Sequence, residues 1–228
     1  MSARTAIFDL DGTLLDTLED LYLSVNHALR WAGLPERTMD EVRLFVGNGI
    51  RLLVQRSIGV GREGGVEAVD PEQLEAVLAE FSKDYAEHCT DHTAPYPGVP
   101  EMLARVRAGG VAIGVVSNKA DFAVQELVAQ QFPDTFDCVM GENEAAGIRK
   151  KPAPDMITAA LNQIGRGREG LIYVGDSEVD LETAANVDCP CVICTWGFRD
   201  RDFLIKRGAT ILVDTPDELG DLLLTWSS

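Results

Sequence analysis

Two carboxylates separated by one residue end an apolar run in Ala6-Ile7-Phe8-Asp9-Leu10-Asp11-Gly12-Thr13-Leu14. On a straight strand Asp9 and Asp11 would share a face, but Gly12 marks a tight turn just after them. Like charges this close repel unless a cation or a proton lies between them. Two carboxylates crowded at a strand end are costly for structure alone and useful for binding a cation or moving a proton. Further along the chain, Ser117 and Asn118 follow the apolar run Val111–Val116. Lys151 precedes Pro152 and the helix after it, and Asp176, Ser177 and Asp180 follow the apolar run Leu171–Val174. Open parallel sheets bind ligands at the carboxyl ends of their strands, so these residues are predicted to converge on one edge. Hard oxygen donors suit Mg²⁺, and a cation, a lysine and exposed backbone N–H groups together would offset the charge of a phosphate.

The elements that must position these residues follow from periodicity. From 96 onward, apolar strands alternate with helices: strands at 111–116, 136–140, 171–174, 192–195 and 211–213, with helices at 121–131 and from 155 to 165. A further helix runs from 177 to about 185 with Asn186 as its C-cap, and a last one begins at Thr215. This alternation predicts an α/β core, a doubly wound parallel sheet covered on both faces. Between 17 and about 90 the pattern is helical throughout. Thr17–Ala32 carries Leu18, Leu21, Val25, Ala28, Leu29 and Ala32, and Thr17 with Asp20 reads as its capping pair. Thr38 with Glu41 opens a second helix, a third lies near Ile50–Ile58, 59–69 reads as a loop, and Asp70-Pro71 opens a long fourth helix. The expected organisation is a core formed by 1–15 and 93–228, with an all-helical insertion at 16–92.

In content and order the four segments resemble the haloacid dehalogenase (HAD) superfamily, over nearly the whole chain. Asp9-Leu10-Asp11-Gly12-Thr13-Leu14 resembles its first motif and Val115-Val116-Ser117-Asn118 the second. Lys151-Pro152 resembles the third and Gly175-Asp176-Ser177-Glu178-Val179-Asp180 the fourth. The resemblance implies a Rossmann-like core, an α-helical cap and a Mg²⁺-dependent phosphatase of small phosphorylated metabolites. It implies that Asp9 attacks phosphorus to form an aspartyl-phosphate. Asp11 would protonate the leaving alkoxide and then deprotonate water. Mg²⁺ would be held by Asp9, the Asp11 carbonyl and Asp176, with Asp180 ligating or supporting. The phosphoryl group would meet Leu10, Asp11, Ser117, Asn118 and Lys151. An aspartate at position 11 favours phosphate over halide chemistry. In the insertion, Gly47-Asn48-Gly49 resembles a loop of phosphoglycolate-phosphatase-like members, and Arg51 beside it could meet a substrate carboxylate. A β-phosphoglucomutase-like mutase shares motifs and cap. A phospho-accepting signalling module would lack the second aspartate and the insertion.

Lys+Arg 20 against Asp+Glu 37 gives a net charge of -17 over 228 residues, which argues against nucleic acid as a partner. With no bilayer-length apolar run, no apolar leader before the first strand and five cysteines, the expectation is a cytoplasmic protein without membrane partners. Monomer and homodimer are both compatible with the sequence. His88, Cys89 and His92 have the spacing of helical metal ligands but lack a fourth partner. Cys191 and Cys194, three apart on a strand, should face opposite sides as buried apolar groups.

Overall fold

The computed structural model describes residues 4–226. The chain forms two compact units, Met1–Asp16 with Pro95–Ser228, and Thr17–Ala94. It begins with β1 (Thr5–Phe8), turns, and leaves the first unit through β2 (Leu15–Asp16). The second unit carries α1 (Leu18–Trp31), α2 (Met39–Phe45), α3 (Ile50–Gly59) and α4 (Pro71–His88). The chain returns through β3 (Ala94–Pro95) into α5 (Val99–Ala108), β4 (Ala112–Ala120), α6 (Asp121–Gln131) and β5 (Cys138–Glu142). Then follow α7 (Asp155–Ile164), β6 (Leu171–Gly175), α8 (Glu178–Val187), β7 (Cys191–Cys194), α9 (Arg201–Lys206), β8 (Ile211–Val213) and α10 (Pro216–Thr225).

In the first unit, six strands form one parallel sheet in the order β5-β4-β1-β6-β7-β8. β1 lies between β4 and β6, with Phe8 in register with both Val115 and Val174. It is wholly buried, because its alternating side chains enter two different cores. Ala6 and Phe8 pack among residues of α5, α6 and α10, and Ile7 packs among residues of α7 and α8. Helices on both faces explain why the strands read as continuous apolar runs rather than as alternation. The strand order reverses at β1, which places the Asp9–Asp11 turn at the topological switch point, where this fold class binds ligands.

Several elements depart from the sequence expectations. The strand expected at 136–140 is found at Cys138–Glu142, and the stretch expected as a loop holds a short 3-10 turn at Gly65–Ala68. β4 does not stop at Val116 but continues through Ser117, Asn118 and Lys119 to Ala120, and its pairing with β5 shifts register between Val116 and Ala120. Those three polar residues are buried, so a reading based on apolarity ended the strand too soon. α8 runs to Val187 and is capped by Asp188 in the left-handed conformation, φ 59°. Asn186 lies inside the helix, its amide donating to the Pro152 carbonyl at 2.9 Å. Thr17 does not cap α1 with its side chain. The Thr38–Glu41 capping box of α2 is present in both directions.

In the helical unit, α1 and α4 contribute buried stripes at helical spacing, Leu21, Val25, Ala28 and Leu29 from one, and Leu74, Val77, Phe81 and Tyr85 from the other. Phe81 and Tyr85 stack with centroids 5.3 Å apart. Asp20 is buried and ties the two ends of this unit together. It accepts hydrogen bonds from the backbone N–H of His92 at 3.0 Å and of Thr93 at 2.8 Å, and from Thr93 Oγ1 at 2.7 Å. It also meets His92 Nδ1 at 2.8 Å, and this hydrogen bond raises the His92 pKa above its ordinary value. Charge-assisted bonds to buried donors are costly to break, so Asp20→Ala is expected to destabilise the unit by about 2–4 kcal/mol in urea denaturation. A histidine raised in the folded state lends its stability below its unfolded pKa and loses it as pH rises through the folded value. The penalty should therefore be larger at about pH 6 than at about pH 9. A penalty below about 0.5 kcal/mol would show the clasp to be dispensable.

Candidate active site

Asp9 follows β1 directly, and its backbone N–H still bonds the Val174 carbonyl of β6 at 2.9 Å. The turn after it is closed by Leu14 N–H and Leu15 N–H, both bonding the Leu10 carbonyl at 2.9 and 3.0 Å. Lys151, only 3% exposed, reaches Asp9 Oδ1 at 2.8 Å, Asp180 Oδ1 at 2.9 Å and the Tyr173 hydroxyl at 3.0 Å. Tyr173 donates its hydroxyl to the same Asp180 oxygen at 3.1 Å. The other oxygen, Asp180 Oδ2, accepts from Ser177 Oγ at 2.6 Å, Ser177 N–H at 3.0 Å and Asp176 N–H at 3.2 Å. Asp180 is thus fully engaged by protein donors and braces both Lys151 and the Asp176 turn.

The second motif stands beside this group on β4. Ser117 is buried, and its Oγ accepts from Lys119 N–H at 3.2 Å. The Asn118 side chain bridges to the Lys151 backbone, donating to its carbonyl at 3.0 Å and accepting its N–H at 2.8 Å. Asn118 thereby fixes the segment that carries the lysine. Leu10 N–H points to Asp9 Oδ1 at 2.7 Å. Asp11 forms an ion pair with the buried Lys119, Nζ to Oδ1 at 3.0 Å.

The segment after β7 completes the site, although nothing in its side chains announced it. Phe198 N–H donates to Asp176 Oδ2 at 2.7 Å, the Trp196 indole N–H donates to the Thr13 carbonyl at 3.1 Å, and Arg199 pairs with Glu178 at 2.9 Å. Gly12 turns with φ 80° against Asp176, a conformation few other residues adopt. Gly197 has no room for a side chain. A Cβ there would overlap the Gly12 carbonyl and Asp176. Gly197→Ala should therefore displace Asp176, lowering turnover at least about tenfold for a stability cost of only about 1–3 kcal/mol. Turnover assays and urea midpoints on the one variant check both numbers, and unchanged turnover would show that the close approach has no bearing on the chemistry.

Asp9, Asp176 and Asp180 can each present an oxygen within 4.8 Å of the others, all three buried. Burial pushes Asp9 up to about 7 despite the pull of Lys151, and burial with the charges of Asp180 and Asp9 pushes Asp176 well above its ordinary value. Burial acts on Asp180 in the same direction, but Lys151 and the hydroxyls of Ser177 and Tyr173 outweigh it, so this carboxyl is held low. Three acids against one lysine leave the cluster short of positive charge. The donors are hard oxygens, and the residues fit a divalent cation such as Mg²⁺. Asp9 and Asp176 have the freedom to hold it, whereas Asp180 is already committed.

Gly47, Asn48, Gly49 and Arg51 lie in the helical unit. Gly49, at φ 89°, is the N-cap residue of α3, and Arg51 pairs with Glu75 at 2.5 Å. His88 bonds Asp91 and His92 bonds Asp20, so the histidines serve local pairs. Among the described residues they form no metal-ligand cluster. Cys194 packs with β1 residues on one face of the sheet and Cys191 against the Tyr173 core on the other. No helix among the described residues is long and apolar enough to cross a membrane.

A family model, haloacid dehalogenase-like hydrolase, matches residues 6–194. The chain is 33% identical over 201 residues to the phosphoglycolate phosphatase of Caulobacter vibrioides, covering 88% of this chain and 82% of that one. It is 30% identical over 226 residues to the N-acetylmuramic acid 6-phosphate phosphatase of Pseudomonas aeruginosa, covering 98% and 96%. A crystal structure of a provisionally named phosphoglycolate phosphatase from Lactobacillus delbrueckii superposes with a TM-score of 0.93 at 38% identity, covering 99% of this chain and 100% of that one. With the four motifs gathered at one sheet edge and the match spanning both units, the chain belongs to the haloacid dehalogenase-like hydrolases.

Proposed function

We infer that the protein is a phosphatase hydrolysing a small phosphorylated metabolite, with Asp9 carrying the phosphoryl group as an aspartyl-phosphate. One observation carries this reading. A buried carboxylate at the switch point of the sheet faces a buried lysine at 2.8 Å, and a second carboxylate two residues on has its own lysine. Asp9 would attack phosphorus. Lys151 and Ser117 would hold the phosphoryl oxygens, and Lys151 would offset their charge. Asp11 would give its proton to the leaving alkoxide and then accept one from the water that attacks the aspartyl-phosphate. Asp9, Asp176 and the Asp11 carbonyl would hold Mg²⁺, which when bound neutralises charge on the transferring group. Asp180 would keep Lys151 and the Asp176 turn in place. The helical unit is assigned the role of a cap that selects substrate, with Gly47, Asn48, Gly49 and Arg51 as its substrate-facing candidates. The relatives are named phosphoglycolate phosphatase and N-acetylmuramic acid 6-phosphate phosphatase, so small phosphomonoesters of these two kinds are the leading substrates. Cysteine usage supports a cytoplasmic location.

The test is phosphate release by the purified chain with Mg²⁺, across 2-phosphoglycolate, N-acetylmuramic acid 6-phosphate, β-glucose 1-phosphate, nucleotides and pyrophosphate. One phosphomonoester is expected to reach a kcat/KM of at least about 10⁴ M⁻¹s⁻¹, and chelation should abolish the release. Release that survives complete chelation would contradict the mechanism. Isomerisation of a sugar phosphate that needs a bisphosphate would make the protein a mutase.

A further inference from the structure

We propose that Lys119 is a positioning residue for Asp11, holding its carboxyl where the proton is handed over in both half-reactions. The inference rests on the phosphatase reading above and concerns a residue to which that mechanism gives no role. Lys119 lies two residues after Ser117 on β4. Its backbone N–H is bonded to Ser117 Oγ. Its ammonium reaches Asp11 Oδ1 at 3.0 Å, with the lysine side chain 2% exposed and that of Asp11 15%.

Stability does not account for such a pair. A buried ion pair contributes little more than an apolar pair of similar volume. Nor is Lys119 needed to balance Asp9, since Lys151 already pairs with Asp9 and Asp180. The two buried lysines divide the two aspartates of the turn, one to each. What Asp11 must do explains the division. In the first half-reaction the Asp11 carboxyl proton passes to the leaving oxygen as the substrate P–O bond breaks and the bond from Asp9 to phosphorus forms. In the second, the Asp11 carboxylate takes a proton from water as the water oxygen bonds phosphorus and the Asp9–phosphorus bond breaks. Both transfers need one carboxyl within hydrogen-bond reach of the reacting oxygen, and a misplacement near 1 Å can cost about a hundredfold. Asp11 sits on a turn with two free side-chain torsions, and the Lys119 contact removes that freedom.

The prediction separates positioning from phosphate binding. p-Nitrophenyl phosphate releases a phenolate that leaves without a proton, whereas glycerol 2-phosphate releases an alkoxide that needs one. kcat/KM reports only the steps through the first phosphoryl transfer. In Lys119→Met, the ratio of kcat/KM for glycerol 2-phosphate to that for p-nitrophenyl phosphate should fall at least about tenfold. kcat should fall for both substrates, because the second proton transfer is common to them. Lys119→Gln, which keeps a donor without the charge, should lower the ratio by less, and it carries the test where the Met variant does not fold. An unchanged ratio in the folded variant, whether or not the rates fall together, would overturn the proposal and assign Lys119 to phosphate binding or to structure. Asp9→Asn distinguishes the two failures. If that variant stays active, the phosphatase reading itself fails; if it is inactive while the ratio is unmoved, only the role of Lys119 does.

Discussion

Asp9→Asn is expected to lose phosphatase activity by at least about a thousandfold while folding as well as the parent or better. The substitution keeps the shape and the oxygen that accepts Leu10 N–H at 2.7 Å, but an amide cannot attack phosphorus. Its effect on stability should run opposite to its effect on rate. Asp9 is one of three buried acids within 4.8 Å, and burial disfavours its charged form enough to push it up to about 7. Removing that charge relieves repulsion with Asp180 and Asp176, although Lys151 gives up one of its two carboxylate partners. A urea midpoint at or above that of the parent, together with vanishing release of p-nitrophenol, would mark a residue kept for chemistry at the expense of stability. Lost stability with retained activity would mark an ordinary structural aspartate.

Lys151→Met should lose both activity and stability. Burial opposes the charge on Lys151, yet Asp180 and Asp9 hold it protonated. Taking the ammonium away strands two buried carboxylates, a change that typically costs about 3–5 kcal/mol. Activity should fall at least about a hundredfold, since the phosphoryl charge loses its nearest fixed cation. Lys151→Arg should rescue little, because the planar guanidinium does not fit a site 1% exposed and shared by Asp9, Asp180 and Tyr173. The double variant Lys151→Met with Asp180→Asn sorts structure from catalysis. Removing one stranded charge should recover part of the stability and none of the rate. Recovery of both would mean that Lys151 acts only by neutralising Asp180.

The two lysines also show what the sequence made legible. Asp9, Asp11, Ser117 and Asp176 are legible because each follows an apolar run that had to be a strand, and parallel strands end on one edge; Lys151 is legible by its place before Pro152 and the helix that follows. Lys119 is not legible in the same way, because a lysine one residue beyond that edge reads as solvated. Here β4 runs on through a register shift and buries it. Tyr173 lies within the apolar run of β6 and reads as core, which it is apart from its hydroxyl. The 195–199 segment meets Asp176 through the Phe198 backbone N–H and through the absence of a side chain at Gly197, and neither leaves a mark in side-chain chemistry. Its one signal in the sequence is Gly197, three residues past the end of β7. The role of Asp180 was open between ligand and support, and its five protein donors favour support. The helical unit was readable as helices from its stripes and caps, whereas Thr17 and Asp20 misled. A Thr-x-x-Asp spacing resembles a cap, but Asp20 found stronger partners 72 and 73 residues away.

The central claim is that phosphorus passes through Asp9. The most direct measurement is to quench a turning-over sample with borohydride, which reduces an acyl phosphate to an alcohol, and to map the product by peptide mass spectrometry. Homoserine at position 9, formed only when substrate is present and absent from every other aspartate, is the expected result. Unmodified Asp9 during active turnover, or phosphate trapped on Ser117 or another residue, would contradict it.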